Sequence, residues 1–327
     1  MRRVRYIRNL CRTTQFSHFP FRASSGTANH LYDEVTKVSP VSDGIFTGFV
    51  TDQFSIKSAP NGGYLMGLAL SAASASVPDS SPDPLSTTGY YFTRSEQNAI
   101  MDLRVEILAQ SKSSITVAVR CSQNGDLRCK FLFTFGNFDR MKGLTKVNMQ
   151  APELPPIVEC IDAMDILRQS LGSNGEMSIS NQIELRVSKI DEFAKTVLSG
   201  KQGEVASLSG WGSFANNRPV CVSSLCQLCD CFPPPVLNIA SFGWVPTLEY
   251  TVHYWNDPSQ VSNHSYQQHL AGLPEGSPDH RTNWIRYRAT TSFVQNGMCY
   301  LDNEVWSPCG GFLLSTSRQL ARVMTSK

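Results

Sequence analysis

One order of segments occurs twice along this chain of 327 residues, and it restricts the fold more than any single motif. In the first half, a strand-like run at 46–54 leads to Pro60-Asn61-Gly62-Gly63 and then to a helix-like run at 64–75, rich in Leu, Met and Ala. Four β-rich runs follow, at 86–93, 101–110, 114–122 and 127–138. The Asn124-Gly125 turn before the last run is a strong hairpin signal, so these strands are expected to be antiparallel.

The second half repeats this order after an interruption. Pro152, Pro155 and Pro156 break the pattern, and a helix-like run at 157–171 and a strand-like run at 178–187 come next. A strand-like run at 204–215 then precedes a Cys-rich helical run at 222–231, which three successive prolines terminate. The remaining strand-like runs lie at 245–255, 284–295, 298–306 and 311–320.

The repeated order predicts the architecture of both halves. A helix that is apolar all round must be buried, and an antiparallel sheet can cover it with one face while the other face meets water. We therefore expect an α+β fold in which each half is a curved antiparallel β-sheet wrapped around a long buried helix. A period of about 150 residues is typical of a duplicated domain. The expected boundaries are a basic leader at 1–30, a first domain at 31–147, a linker with a helix at 148–177 and a second domain at 178–327.

The composition excludes several classes of protein. Hydrophobic residues make up 41% of the chain and charged residues 17%, which supplies a large core and argues against wholesale disorder. The net charge of +2 argues against a nucleic-acid partner, because phosphate binding depends on clustered Lys and Arg. No apolar run approaches the roughly 18 residues that a membrane span requires.

The N-terminal segment differs from the rest of the chain. Six arginines precede the first acidic residue, Asp33, and hydroxyl residues lie between them. Such a segment is typical of a mitochondrial transit peptide, and a disordered basic extension is the alternative. The segment lacks the apolar block of a secretory signal, so the expected location is intracellular, either mitochondrial or cytoplasmic.

Four of the ten cysteines are clustered, at Cys221, Cys226, Cys229 and Cys231. Their spacing lacks the paired C-x-x-C knuckles of a zinc site, and no His lies nearby, so buried thiols are expected and no metal. Neither a Gly-x-Ser-x-Gly elbow nor a Gly-rich phosphate loop is present. The sequence therefore predicts no bound cofactor.

Several short blocks resemble the acyl-CoA thioesterase superfamily, in particular the thioesterase II-like group with a double hot-dog fold, which is common in bacteria and fungi. The blocks that carry the resemblance are Pro-Asn-Gly-Gly-Tyr-Leu at 60–65, Trp-Val-Pro-Thr-Leu-Glu-Tyr-Thr-Val-His-Tyr at 244–254, Glu-Val-Trp at 304–306, Gly-Gly-Phe-Leu-Leu at 310–314 and Ser-Arg-Gln-Leu-Ala at 317–321. Their order and spacing are more specific than any one of them. The resemblance implies two hot-dog domains at 31–147 and 178–327.

The resemblance also implies a reaction and a set of site residues. In this family an acid, a hydroxyl and a glutamine in the C-terminal half activate water for thioester hydrolysis. Carried over to this chain, the acid falls on Glu249, although the family's usual acid is Asp, and the glutamine falls on Gln319. The hydroxyl is Thr290, Thr291 or Ser292, with Thr291 preferred. Period-two alternation places Glu249 on one strand face with Thr251 and His253, and a solvent-facing carboxylate is the alternative interpretation.

The start of the first helix is the expected substrate-binding element. Unpaired backbone N–H groups at a helix start can stabilise a developing oxyanion, and glycines allow a close approach. Asn61, Gly62, Gly63 and Tyr64 are the predicted substrate-binding residues. The implied partner is an acyl-CoA or a related thioester, without metal or redox cofactor, and association of two or more chains through their sheets is a further implication of the resemblance.

Two other functions fit the same pattern. One is a hot-dog dehydratase or hydratase, or another tailoring enzyme of a fungal secondary-metabolite pathway. The other is a non-catalytic acyl-CoA-binding protein. Acyl chain preference and pathway are not fixed by the sequence.

Overall fold

The computed structural model describes residues 30–171, 177–239, 245–259 and 284–324. Its strands are Val38–Ser42 (β1), Ile45–Val50 (β2), Ser55–Ile56 (β3), Ala59–Pro60 (β4), Asp83–Tyr91 (β5), Ala99–Gln110 (β6), Ile115–Gln123 (β7), Asp126–Gly136 (β8), Ile161–Asp162 (β9), Ile183–Val187 (β10), Ser207–Phe214 (β11), Thr247–Tyr254 (β12), Ile285–Thr290 (β13), Val294–Gln295 (β14), Met298–Trp306 (β15) and Leu313–Arg322 (β16). Its helices are Leu31–Val35 (α1), Gly62–Ser74 (α2), Ala163–Leu171 (α3), Glu192–Ser199 (α4) and Leu225–Leu228 (α5).

One large antiparallel sheet contains 14 of these strands. Its order is β1-β2-β6-β7-β8-β5-β12-β16-β15-β13-β11-β10-β9, with β14 paired to β15, while β3 and β4 form a separate hairpin. The strands of the first half and those of the second therefore meet at one seam, where β5 pairs with β12. This seam joins the two halves by backbone hydrogen bonds.

Helix α2 packs against strands β6, β7 and β8 of the first half. Asn61 caps its start by accepting a hydrogen bond from the Tyr64 N–H at 3.2 Å, and no proline interrupts its 13 residues. Ten of them are buried, because the helix packs on the sheet with one side and on α5 with the other. A methyl group on Gly63 would lie 2.6 Å from the carbonyl oxygen of Cys226, so glycine is what allows α2 and α5 to touch.

The second buried helix is shorter than the sequence predicts. A 3-10 turn at Val222–Ser224 leads into α5, which has only four residues, although the side chains of α5 are all buried as expected. The prediction of a long helix over 222–231 is therefore wrong in its length. The chain leaves the helical path at Cys229 and Asp230, ahead of the prolines.

The proline-rich linker runs along the outer face of the second half. The Trp211 indole N–H donates to the Pro155 carbonyl at 2.9 Å, and the Arg286 and Arg288 guanidinium groups donate to the carbonyls of Pro152 and Gln150. Residues 1–29, in which the basic leader falls, and Trp244 of the family-like block lie outside the described residues.

The clustered cysteines Cys221, Cys226, Cys229 and Cys231 are free thiols. Within the described ranges, no group of three or more His, Cys, Asp or Glu side chains is arranged to hold a metal ion. No helix in the same part of the chain is long and apolar enough to cross a membrane.

Candidate active site

A cavity of about 530 Å³ opens at the seam between the two halves. Its lining includes the start of α2, the end of β5, the turn after α5, the start of β12 and parts of β15 and β16. Much of the lining is apolar and includes Leu65, Phe232, Pro234, Pro235, Val245, Pro246 and Leu301. Both halves are therefore needed to enclose this cavity.

Asp230 is the one acidic side chain among the described residues that line the cavity. It follows α5, and the N–H of Gly63 at the start of α2 donates to its Oδ2 at 2.6 Å. The Gln319 amide nitrogen donates to its other oxygen, Oδ1. The side chain is thus fixed from two sides, once by each half of the chain.

Burial changes the acidity of Asp230. Loss of water around the carboxylate raises its pKa from the ordinary 3.8 to about 6, and the hydrogen bonds from Gly63, Gln319 and Asn61 partly oppose this. A carboxylate whose pKa is close to neutral can take and return a proton at cellular pH. A carboxyl with a raised pKa in a cavity is a candidate general base.

Gln319 connects Asp230 to a hydroxyl group. Its Nε2 donates to Asp230, and its Oε1 accepts a hydrogen bond from Thr247 Oγ1 at 3.2 Å. Gln319 is buried, and all three side chains line the cavity. A carboxylate, an amide and a hydroxyl therefore form one hydrogen-bonded row that faces the cavity.

A β-bulge brings Thr247 into this row. Thr247 pairs with Ala321, and Glu249 pairs with Leu320. Strand β12 therefore advances by two residues where β16 advances by one, which is a β-bulge. The bulge turns Thr247 to the inner face of the sheet and leaves Glu249 on the outer face. Regular alternation would have placed these two residues on the same face.

The start of α2 is held by side chains of both halves. The Asn61 amide donates to the Asp230 carbonyl at 2.9 Å and accepts from Gln227 Nε2 at 3.0 Å. The Tyr91 hydroxyl donates to the Gly62 carbonyl at 2.9 Å. These contacts fix the position of the Gly63 N–H relative to the Asp230 carboxylate.

The structure does not place Glu249 in the cavity. Its neighbours Tyr250, Val252 and Tyr254 are buried on the inner face, whereas Glu249 lies on the outer face with its Oε1 3.4 Å from Thr251 Oγ1. It is not among the described residues that line the cavity. Of the three predicted catalytic side chains, only Gln319 lies there.

The hydroxyl candidates at the end of β13 and just after it are also missing from the described cavity lining. Thr291 is buried and its N–H donates to the Ala206 carbonyl at 2.9 Å, while Ser292 is exposed. Neither they nor Thr290 belong to the described cavity lining. The position of Thr247 makes it the hydroxyl that the geometry favours.

The four residues predicted to bind substrate have two kinds of position. Asn61 and Gly62 line the cavity. Gly63 does not, and its N–H is already bonded to Asp230, so it is not free to bind an oxyanion. Tyr64 is fully buried, and its hydroxyl accepts from the Thr51 N–H and donates to the Phe49 carbonyl at 3.0 Å. Its observed contacts are those of a core residue.

Sequence reasoning missed Asp230 and Thr247. Asp230 lies near the end of the Cys-rich run at 222–231, which the sequence pattern predicts only as a buried helix. The available signal was one acid directly after an apolar segment, where an unpaired carboxylate is costly. Thr247 carried no such signal, because a bulge is not visible in a period-two pattern.

Comparison with solved structures identifies the class of fold. The structure is similar to a protein described as a thioesterase II from Thermobifida fusca, with a TM-score of 0.72, 18% identity and coverage of 90% of this chain and 97% of that one. It is also similar to a hot-dog-fold protein of unknown function from Alicyclobacillus acidocaldarius, with a TM-score of 0.72, 20% identity and coverage of 92% of this chain and 100% of that one. For an acyl-CoA thioesterase II from Mycobacterium marinum, the TM-score is 0.60 and the identity 14%, with coverage of 90% of this chain and 99% of that one. This protein therefore has the hot-dog fold.

Family models then identify the family. The model of the acyl-CoA thioesterase N-terminal domain matches residues 50–136, and that of the C-terminal domain matches residues 175–323. Together they cover more than half of the chain, so the chain belongs to the acyl-CoA thioesterase family. The predicted family is thereby confirmed. No protein of curated function matches the sequence.

Proposed function

We propose that this protein hydrolyses an acyl-CoA to the free acid and CoA, with Asp230 activating the attacking water. The observation that carries the proposal is the row Asp230–Gln319–Thr247, which faces a partly apolar cavity at the seam. Family membership supports a thioester of CoA as the substrate class.

The proposed reaction needs one proton acceptor and two orienting groups. Asp230 takes a proton from water while the water oxygen adds to the thioester carbonyl carbon. Gln319 and Thr247 orient that water, because an amide and a hydroxyl each donate and accept hydrogen bonds. The C–S bond then breaks, the carbonyl re-forms, and the proton on Asp230 passes to the departing CoA sulfur.

This proposal replaces Glu249 with Asp230 as the base and Thr291 with Thr247 as the hydroxyl. Both replacements rest on the same geometric argument, namely that a side chain acting on a thioester must reach the cavity that holds it. Gln319 keeps its predicted role. Asn61 and Gly62 keep theirs as residues that can contact the substrate from the cavity wall.

We further propose that the two halves are two hot-dog domains. Separate N- and C-terminal family models match them, and each half contributes its own stretch of the sheet and a buried helix. The boundaries at 147 and 178 belong to this proposal. Association of several chains and the mitochondrial or cytoplasmic location stay predictions.

A free-thiol assay with a panel of acyl-CoAs tests the proposed function. Release of CoA together with free acid, found by mass spectrometry, is the expected result. A product in which the thioester is intact but water has been added or removed would mean a hydratase or dehydratase instead. Tight acyl-CoA binding without any product would mean a binding protein.

Activity is expected to depend on pH through Asp230. A general base must be deprotonated, so kcat/KM should rise with pH through about 6, where burial places the pKa of Asp230, and then level off. Steady-state kinetics from acidic to mildly alkaline pH measure this. A profile that is flat through pH 6 would contradict the assignment of Asp230.

A further inference from the structure

Asn303 is a polar residue on an otherwise apolar strand face. On β15 it shares the buried face with Cys299, Leu301 and Val305. Its side chain is only 4% exposed, and it lines the cavity. Burial of an amide costs free energy unless its donors and its acceptor are bonded, so the hydrogen bonds of Asn303 indicate what this position requires.

The Asn303 amide bonds to three different elements of the second half. Its Nδ2 donates to the Cys229 carbonyl at 2.9 Å, in the turn after α5, and to Ser317 Oγ on β16 at 3.0 Å. Its Oδ1 accepts from the Tyr287 hydroxyl on β13 at 3.0 Å. The orientation of the amide is therefore fixed, because only its nitrogen can donate to a carbonyl oxygen.

The contact with Cys229 acts on the residue that follows it. Asp230 belongs to neither a helix nor a strand, so its backbone needs other partners. The carbonyl before Asp230 accepts from Asn303, and the carbonyl of Asp230 itself accepts from the Asn61 amide at 2.9 Å. Two side-chain amides, one from each half of the chain, thus hold the two peptide groups that flank the Asp230 Cα. The orientation of these peptide groups determines where the carboxylate points.

We propose that Asn303 is a positioning residue for the reaction, because its hydrogen bond to the Cys229 carbonyl holds the Asp230 carboxylate against Gln319 and the Gly63 N–H. This inference rests on the proposed function and adds a residue that acts through Asp230 without taking or giving a proton. Asn61 fixes only one of the two flanking peptide groups, so loss of the Asn303 bond frees the other. A neutral amide can hold the base without placing a second charge beside it.

Two variants that change the cavity in opposite directions test this inference. Asn303→Leu and Asn303→Ala both remove the donor to the Cys229 carbonyl, whereas leucine enlarges the side chain and alanine shortens it. In steady-state kinetics of CoA release, kcat should fall about 100-fold in both variants, the loss expected when a catalytic group is displaced by about 1 Å. KM for acyl-CoA should stay within a few-fold of wild type, because the lost bond does not involve the substrate.

The pH profile separates positioning from a merely structural role. In wild type, the hydrogen bonds from Gly63 and Gln319 lower the pKa of Asp230 and partly oppose the effect of burial. A displaced carboxylate makes these bonds less well, so the inflection of kcat/KM should move above about 6 in both variants. A loss of stability alone would lower activity without moving the inflection.

Ser317→Ala is the matched control, since it removes the other acceptor of the same amide and leaves the bond to Cys229. Its kcat and its inflection should be those of wild type. Circular dichroism checks folding, and if the leucine variant does not fold, the alanine variant decides. Wild-type kcat in folded Asn303 variants, a loss of kcat without a shift of the inflection, or a loss in only one of two folded variants would each overturn the inference. Absence of CoA release by wild type would instead refute the proposed function.

Discussion

Replacing Asp230 by Asn is expected to lower acyl-CoA hydrolysis by about 100-fold to 10,000-fold, the range that a positioned general base supplies. The amide has nearly the same shape and can still accept the Gly63 hydrogen bond, but it cannot take a proton from water. The measurement is CoA release under saturating substrate. Activity within a few-fold of wild type would remove Asp230 from the mechanism.

Glu249→Gln is the matched control for Asp230→Asn. It makes the same acid-to-amide change on the outer face of β12, and full activity is expected because Glu249 does not reach the cavity. If Glu249→Gln is inactive while Asp230→Asn is active, Glu249 is the base, as the family resemblance implies, and Asp230 is not.

Thermal unfolding of the Asp230→Asn protein shows whether a loss of activity reflects chemistry or folding. The pKa of Asp230 is raised from 3.8 to about 6 by folding, so in wild type this carboxyl contributes stability at low pH that is lost as pH rises through about 6. The Asn variant lacks this dependence. Its unfolding midpoint should therefore change less between mildly acidic and neutral pH than that of wild type.

Gly63→Ala is expected to lower both stability and activity. A Cβ at this position would lie 2.6 Å from the Cys226 carbonyl oxygen and 2.9 Å from Asp230 Cβ, and α2 and α5 would have to separate. Overpacking of this kind costs about 1–3 kcal/mol. This cost is larger than the gain of up to about 1 kcal/mol in helix stability that replacing glycine by alanine brings. Displacing the Gly63 N–H from Asp230 by about 1 Å should lower kcat by about 100-fold.

Gly311→Ala provides the comparison for this variant. The nearest atom to an added Cβ there is Cys309 Sγ at 3.5 Å, an ordinary contact, so stability and activity should stay unchanged. Both variants are compared by thermal denaturation and by CoA release. If Gly63→Ala is as stable and active as wild type, α2 and α5 do not touch as described.

The long, strongly patterned elements were predictable from the sequence. The apolar run at 64–75 corresponds to α2, and the β-rich runs at 101–110 and 298–306 correspond to β6 and β15. Buried helices and half-buried strands leave periodic signals that single residues do not disturb. In contrast, no element was predicted over α4, although Asp191 caps its start and Gly200 ends it in the left-handed conformation, because a run of eight residues is too short for a periodic pattern to stand out.

The candidate site was less predictable, for physical reasons that apply to each residue. Gln319 was found by resemblance alone, since its sequence context is also that of a surface strand. The position of the Asp230 side chain depends on where α5 ends. The ends of helices and strands are the least certain part of a prediction from sequence. The sheet face on which Thr247 lies depends on a bulge that one added residue creates. A shift of one residue moves every side chain beyond it to the opposite face of the sheet.

The pairing of β5 with β12 has a consequence for how activity scales with dilution. Gly63 and Tyr91 come from the first half of the chain, and Asp230, Thr247 and Gln319 come from the second, yet a single polypeptide supplies all five. An enzyme whose centre is completed by a second subunit loses specific activity when mass action drives its dissociation. In this protein one polypeptide carries the site residues of both halves, so dilution cannot separate them. The turnover number per molecule should therefore be the same in very dilute and in concentrated solution.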